Sequence, residues 1–311
     1  MRERQCQPVI APAEYTVTTD DGVALYADVV GNPAAPVTVV CCHGYGLSLE
    51  SWSLQRTALA TRARVVLYDQ RGHGRSEYGE RGSGDLDRLG EDLYDVITQL
   101  APDGPVVLAG HSMGGMTILA LAERHPELFG DRIVGVALLA TTAGAVNPSL
   151  GLPAIGTAVQ LAAHWAAERI SPDLVPFLGL VRRLPGFRRL AHAAASRFAF
   201  ASTVSATTVD LMLEMFEGIQ PAALTDLFRQ FRSNDRRAAL EVLAKVSTLV
   251  MVGACDRLTP PRDSEAIAAA VPGADLVVLS DTGHMLPLER GTEVNEWLAV
   301  LAEPVQLQDA C

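Results

Sequence analysis

The chain has 311 residues, 49% of them hydrophobic, which is enough to bury a sizeable core as one large domain or a domain with an insertion. Its formal net charge of −11 argues against a nucleic-acid partner, which would need a basic face. Met1 to Pro8 is charged with no apolar core behind it and no later run spans a bilayer, so neither a secretory signal nor an integral membrane segment is expected, and the expected location is cytoplasmic.

Residues 14–19 and 23–30 read as a hairpin across Asp20-Asp21-Gly22, whose Asp-Gly step is a turn signal. Short, nearly continuous apolar runs follow at 37–42, 64–68, 106–109 and 133–140, as expected of parallel strands covered on both faces, with helical stretches between them. Cys41 and Cys42 are adjacent inside the first of these runs, and five cysteines in all give neither a disulfide framework nor a zinc site. Buried thiols are expected, with Cys311 a free thiol able to cross-link in vitro.

The alternation stops after Thr142-Ala143-Gly144. Helical segments at 154–170, 174–184, 187–200, 204–216, 222–231 and 236–246 follow, punctuated by Pro148, Pro153, Pro172, Pro176, Pro185 and Pro221. A strand at 248–253, a helix at 263–270, a strand at 275–279 and a last helix at 291–302 then resume the pattern. The expected architecture is α/β, a doubly wound, mostly parallel sheet of about eight strands. Its core would comprise residues 1–144 and 247–311, with an all-helical cap inserted over 145–246.

Strand 106–109 runs into Gly110-His111-Ser112-Met113-Gly114-Gly115, a strand-to-helix corner with a serine at its tip. So sharp a turn strains the serine backbone, and Gly110 and Gly114 leave room where the chain folds on itself. Ser112 is the candidate nucleophile. The helix starting near Met113 has first-turn N–H groups without intrahelical acceptors, which makes the Met113 N–H a candidate oxyanion donor. Two other strands end in punctuated loops, His43-Gly44-Tyr45-Gly46 and Asp69-Gln70-Arg71-Gly72-His73-Gly74-Arg75-Ser76. Both lie at carboxyl ends of strands, where open α/β sheets bind ligands. The Tyr45 N–H is the candidate second oxyanion donor.

A serine nucleophile needs a base, and the base needs an orienting acid. Of seven histidines, His284 fits best, in Asp281-Thr282-Gly283-His284-Met285 just past strand 275–279. His43, His73 and His111 read as packing or hydrogen-bonding residues, and His125, His164 and His192 as satisfied or exposed helix residues. Asp256, after strand 248–253, is the chosen acid. Asp281 is the rival, only three residues from His284 and better placed to shape that loop.

With these residues the chain resembles the α/β-hydrolase superfamily, most closely its esterase, lipase and cofactor-free perhydrolase-like members with a helical cap. The elbow, His43-Gly44, the 69–76 loop, Asp256 before Pro260 and Gly283-His284 occur in the family order of nucleophile, acid and histidine. The resemblance implies that 145–246 is a lid over the active site. Epoxide hydrolases and haloalkane dehalogenases of this fold carry aspartate where this chain has Ser112, so those chemistries are not expected. Arg182, Arg183, Arg188, Arg189, Arg236 and Arg237 give the cap a basic excess, read first as a solvated face.

The expected reaction is two-step acyl transfer on a small-molecule ester, without cofactor or metal. Met212, Met215, Phe216 and Met285 are candidates for an apolar acyl pocket, although such a stripe is more often core. The same residues would serve thioesters, lactones, perhydrolysis or cofactor-free cleavage of carbon–carbon bonds. A hydrolase-fold protein that only binds a ligand is the non-enzymatic alternative. Oligomeric state is not legible.

Overall fold

The apolar runs become strands because successive side chains face two different helical layers. The computed structural model describes residues 12–80, 82–146, 192–193, 195–197 and 199–303. The expected helices 154–170 and 174–184 lie outside these residues, as do half of 187–200, the four arginines 182, 183, 188 and 189, His164, Met1 to Pro8 and Cys311.

Eight strands form one sheet: β1 (Ala13–Thr18), β2 (Ala24–Gly31), β3 (Thr38–Cys42), β4 (Arg64–Tyr68), β5 (Val106–His111), β6 (Ile133–Leu139), β7 (Ser247–Gly253) and β8 (Asp275–Leu279). The spatial order is β1-β2-β4-β3-β5-β6-β7-β8. The hairpin β1–β2 and the pair β2–β4 are antiparallel, and every later pair is parallel. Val40, Cys42, Val66, Leu108, Leu138 and Val250 enter one core layer, whereas Val39, Cys41, Val65, Leu67, Val107, Leu139 and Met251 enter the other. Central strands covered on both faces have no polar side, which explains their unbroken apolar sequence. Burial pushes the Cys41 thiol above its usual range and that of Cys42 up to about 12, so both remain protonated packing groups.

The first core layer holds α2 (Leu86–Leu100) and α3 (Met113–Arg124), and the second receives α1 (Ser53–Leu59). After the sixth strand come α4 (Ala206–Glu217), α5 (Pro221–Gln230) and α6 (Ala239–Leu243), then α7 (Pro261–Ala270), α8 (Leu286–Glu289) and α9 (Gly291–Leu301). Helix α6 is shorter than the expected 236–246. The Arg236 N–H leaves the helical ladder for Ala143 O, and its guanidinium pairs with Glu123 and Asp87. Helix α7 starts two residues earlier than expected, with Pro261 at its first position, where a missing N–H costs nothing. Among the described residues no helix is long and apolar enough to cross a membrane.

The chain leaves β3 for β4 on one side and returns to β5 on the other, so the sheet reverses direction at β3. The crevice at this switch point opens between the carboxyl ends of β3 and β5, beside the loops that begin at His43 and Ser112. A third loop, after β4, braces it. Arg71 in that loop is fully buried, with all its N–H directions answered by Asp92, Asp21 and the carbonyl of Tyr78. Asp69 accepts the N–H groups of Leu49 and Arg75, both at 2.8 Å.

Candidate active site

Ser112 follows β5 and caps α3 with φ 53° and ψ −116°, a left-handed conformation that a non-glycine residue adopts only under strain. Its neighbours explain how the strain is held. A Cβ at Gly110 would stand 2.5 Å from Gly114 O, and one at Gly114 would stand 2.1 Å from Cys42 O. Backbone meets backbone at both positions, so only glycine fits. The hydroxyl of Thr141 donates to Ser112 O at 2.7 Å, and Met113 opens α3 with its N–H outside the intrahelical ladder.

Ser112 Oγ lies 3.0 Å from His284 Nε2, and His284 Nδ1 lies 2.8 Å from Asp256 Oδ2. The histidine and the aspartate are both buried. Asp256 Oδ1 accepts the N–H groups of Leu258 and Thr259, and Oδ2 also accepts the Thr259 hydroxyl at 2.9 Å. Burial alone would raise this carboxyl, but the charge and hydrogen bond of His284, with the two backbone donors, outweigh it and hold the pKa below the usual carboxylate value. Asp281, the rival acid, sits at φ 50° and shapes the loop, and the carboxylate that accepts from His284 Nδ1 is that of Asp256.

The other three expected histidines are buried and neutral. His43 donates from Nδ1 to Gly44 O at 2.8 Å and accepts the Gln70 N–H at Nε2. His73 donates from Nδ1 to Arg71 O and accepts the Gly46 N–H at 3.1 Å, which fixes the turn after Tyr45. His111 donates from Nε2 to the carbonyl of His284 at 2.9 Å. Burial, with the neighbouring His73, holds His43 well below the usual histidine range, and burial pulls His73 down to about 4. His111 falls to about 3, first by burial and then by the nearby His284.

Gly44 closes on the elbow, where a Cβ would stand 3.3 Å from Ser112 Cβ. The Tyr45 hydroxyl donates to Leu224 O, and its ring meets Phe231 edge-on at 5.2 Å. Of the acyl-pocket candidates, Met215 and Met285 are buried in one apolar cluster with Leu47, Phe200, Val209 and Leu213, and Met212 packs against it. Phe216 is 38% exposed and lies against Gly46, where a Cβ would stand 2.6 Å from its ring. Met113 belongs to a different cluster with Tyr78, Met116, Ile219, Ala223 and Leu227. Among the described residues no acidic, histidine and cysteine group is arranged to hold a metal ion.

The sequence reading missed three contributors. Thr259 follows Asp256 by three residues, and a short aspartate turn accepting N–H groups two and three residues on is a local signal that could have found it. Gln70 accepts the Thr117 hydroxyl at Oε1 and donates from Nε2 to His43 O, joining α3 to the Tyr45 loop. Glu289 accepts the N–H groups of Gly283, Ala201 and Ser202. The latter two have no local signature.

Comparison with known proteins finds that the family model described as "Alpha/beta hydrolase family" matches residues 39–297. The chain is 28% identical over 271 residues to the dihydrolipoyllysine-residue acetyltransferase component of the acetoin cleaving system of Pseudomonas putida, a match covering 86% of this chain and 63% of that protein. It is 37% identical over 112 residues to the bifunctional esterase/perhydrolase of Acinetobacter calcoaceticus, covering 36% of this chain and 40% of that protein. Both matches span less than two thirds of the relative's length. A thermophilic esterase from Thermogutta terrifontis superposes with a TM-score of 0.71 at 25% identity, covering 93% of this chain and 99% of the other.

Proposed function

The chain belongs to the alpha/beta hydrolase family, and we propose that within it this protein is a serine hydrolase of small carboxylic esters acting through an acyl-enzyme. The observation that carries the reading is the line of contacts from Ser112 Oγ through His284 to the buried Asp256, at 3.0 and 2.8 Å. His284 Nε2 takes the hydroxyl proton as Oγ attacks the ester carbonyl. Asp256, held ionised, stabilises the imidazolium that results and keeps the ring tautomer fixed.

The N–H groups of Met113 and Tyr45 stabilise the tetrahedral oxyanion, one at the head of α3 and the other in the loop closed against Ser112. His284 then protonates the leaving alcohol, and water activated by the same histidine releases the acid. In this reading the segment between β6 and β7 is the cap that the resemblance implies, and Met212, Met215, Phe216 and Met285 bound the acyl side. No metal or cofactor enters these steps. Esterase relatives support the ester class, and the esterase/perhydrolase relative adds peroxide as an alternative second acceptor in the deacylation step.

The test is stoichiometric labelling by a fluorophosphonate with mass spectrometry of the adduct, alongside hydrolysis of p-nitrophenyl esters from acetate to laurate with and without peroxide. Ser112→Ala should abolish labelling and lower turnover roughly 10⁴- to 10⁶-fold, and His284→Ala should do nearly the same. Folded protein that neither labels nor turns over would sink the reading and leave ligand binding in its place.

A further inference from the structure

The loop that carries His284 is secured from the cap side by a carboxyl group outside the Ser112–His284–Asp256 line. Glu289, at the end of α8, accepts the Gly283 N–H at Oε2 at 2.8 Å and the N–H groups of Ala201 and Ser202 at Oε1 at 3.0 and 2.6 Å. One side chain thus bonds both the residue immediately before His284 and the returning end of the segment after β6. The same two stretches touch in two further ways. The Met285 N–H donates to Ala199 O at 3.1 Å, and Gly283 lies so close that a Cβ would stand 2.7 Å from Ala199 O and 2.8 Å from Ala201 N. His284 is therefore flanked on both chain sides by hydrogen bonds that lead to residues 199–202.

We propose that Glu289 is a positioning residue that couples the seating of the 199–202 segment to the placement of the His284 imidazole. The inference rests on the proposed role of His284 as base. His284 Nε2 must stay within hydrogen-bond reach of Ser112 Oγ while Nδ1 stays on Asp256, and a loop shift of about 1 Å is enough to lose much of that geometry. Asp256 holds the ring from one end, and the backbone at Gly283 and Met285 sets the other. When residues 199–202 are seated, Glu289 and Ala199 hold that backbone in register. When they lift, the loop loses the Ala199 acceptor of Met285, and Glu289, still bonded to Gly283, loses the two donors that hold its carboxylate in place.

Glutamine at 289 separates this role from generic stability. The carboxylate serves both stretches because both of its oxygens accept, whereas an amide has one accepting oxygen and one NH₂ donor. Whichever way the amide turns, its NH₂ faces N–H groups on one side, so the bridge is cut although volume and shape are kept.

The experiment compares wild type with Glu289→Gln on p-nitrophenyl acetate, with active sites titrated by the endpoint of fluorophosphonate labelling. Coupling predicts that kcat per titrated site falls about tenfold, KM stays within twofold, and the labelling rate falls with kcat. The low-field proton resonance of the His284 Nδ1–H bonded to Asp256 should broaden or disappear. A Glu289→Gln protein whose kcat per titrated site and labelling rate stay within twofold of wild type overturns the inference, whatever happens to Tm. So does a change confined to KM. Glu289→Asp retains both accepting oxygens on a shorter arm, and under coupling its kcat falls between wild type and Glu289→Gln. Should Glu289→Gln not fold, an aspartate variant with wild-type kcat per titrated site would overturn the proposal. Failure of wild type to label at Ser112 would instead strike at the parent reading, so the two failures are distinct.

Discussion

At the Ser112 elbow the chain is placed by backbone against backbone, whereas around His284 close backbone contacts at Gly253 and Gly283 are joined by side-chain carboxylates accepting backbone donors. At the elbow, Gly110 meets Gly114 and Gly114 meets Cys42 O, so the turn has little freedom once β5 and β3 are paired. Around His284, the loop is fixed by Asp256 on Leu258 and Thr259, and by Glu289 on Gly283, Ala201 and Ser202. The first arrangement is steric and all-or-none. The second adds an electrostatic, graded part, and single-atom changes to its carboxylates and their donors should adjust it by degrees.

The largest expected effect tests the steric side. Gly114→Ala puts a Cβ 2.1 Å from Cys42 O, a backbone atom in the centre of the sheet that has no room to retreat. The cost exceeds the roughly 1–3 kcal/mol of ordinary core overpacking, so most of the protein should be lost to aggregation or unfolding. Soluble expression with circular dichroism checks it. A stable Gly114→Ala protein with a wild-type melting curve would show that the elbow is softer than the comparison holds.

Next comes the acid on the electrostatic side. Asp256→Asn keeps the shape but offers His284 Nδ1 an amide that cannot stabilise an imidazolium and favours the wrong tautomer, so kcat should drop roughly 10⁴-fold. The protein should still fold, because the amide oxygen can accept the Leu258 and Thr259 N–H groups. Circular dichroism and ester hydrolysis separate the two outcomes. Loss of folding would place Asp256 among the steric determinants instead.

The contrast also explains what the sequence disclosed. The central strands were legible because burial on two faces leaves unbroken apolar runs, the opening hairpin because of its Asp-Gly turn, and β4 and β8 occupy the expected residues. The elbow was legible because its steric demand is met by glycines within five positions. Asp256 could be preferred to Asp281 because Asp281, only three residues from His284, is better placed to shape that loop. Glu289, Gln70 and Arg236 were not legible, since each is defined by partners far along the chain: Ala201, Thr117 and Glu123, respectively. The same holds for the contacts of Phe216, whose ring covers Gly46, the neighbour of Leu47, which packs with Met215 and Met285. Spacing locates a face of a helix, but the tertiary contact decides what that face covers.

Acid should weaken the β3 and β5 side by a titration that the sequence did not announce. His43, His73 and His111 are neutral in the fold, with His73 at about 4 and His111 at about 3, against 6.5 for an unperturbed histidine. Between pH 6.5 and about 4 the unfolded chain binds protons that the folded chain refuses. Stability is therefore complete above pH 6.5 and falls as pH drops, by about 1.4 kcal/mol per pH unit for each histidine. Asp69, raised by burial, runs the other way above its usual carboxylate range and offsets part of the loss at the low end. Urea unfolding at pH 7, 6 and 5 measures the slope. A flat profile would mean that these histidines accept protons in the fold as readily as out of it.

The smallest change sets one hydroxyl against another across the two sides. Thr259→Val removes the donor 2.9 Å from Asp256 Oδ2 but keeps the β-branch and the backbone N–H that Oδ1 accepts. Oδ2 is buried, so the lost bond leaves a charged acceptor with His284 as its remaining hydrogen-bond partner, and a bond to a charged group contributes about 1.5–3 kcal/mol. Part of that falls on the placement of His284, so kcat should drop roughly tenfold with KM unchanged. Thr141→Val is its counterpart at the elbow, removing the donor 2.7 Å from Ser112 O. There the backbone contacts of Gly110 and Gly114 already fix the turn, so kcat should stay within about twofold of wild type even if Tm falls by a few degrees. Equal losses of kcat in the two variants would erase the distinction between the sides, since a hydroxyl would then matter as much where glycines set the geometry as where a carboxylate does.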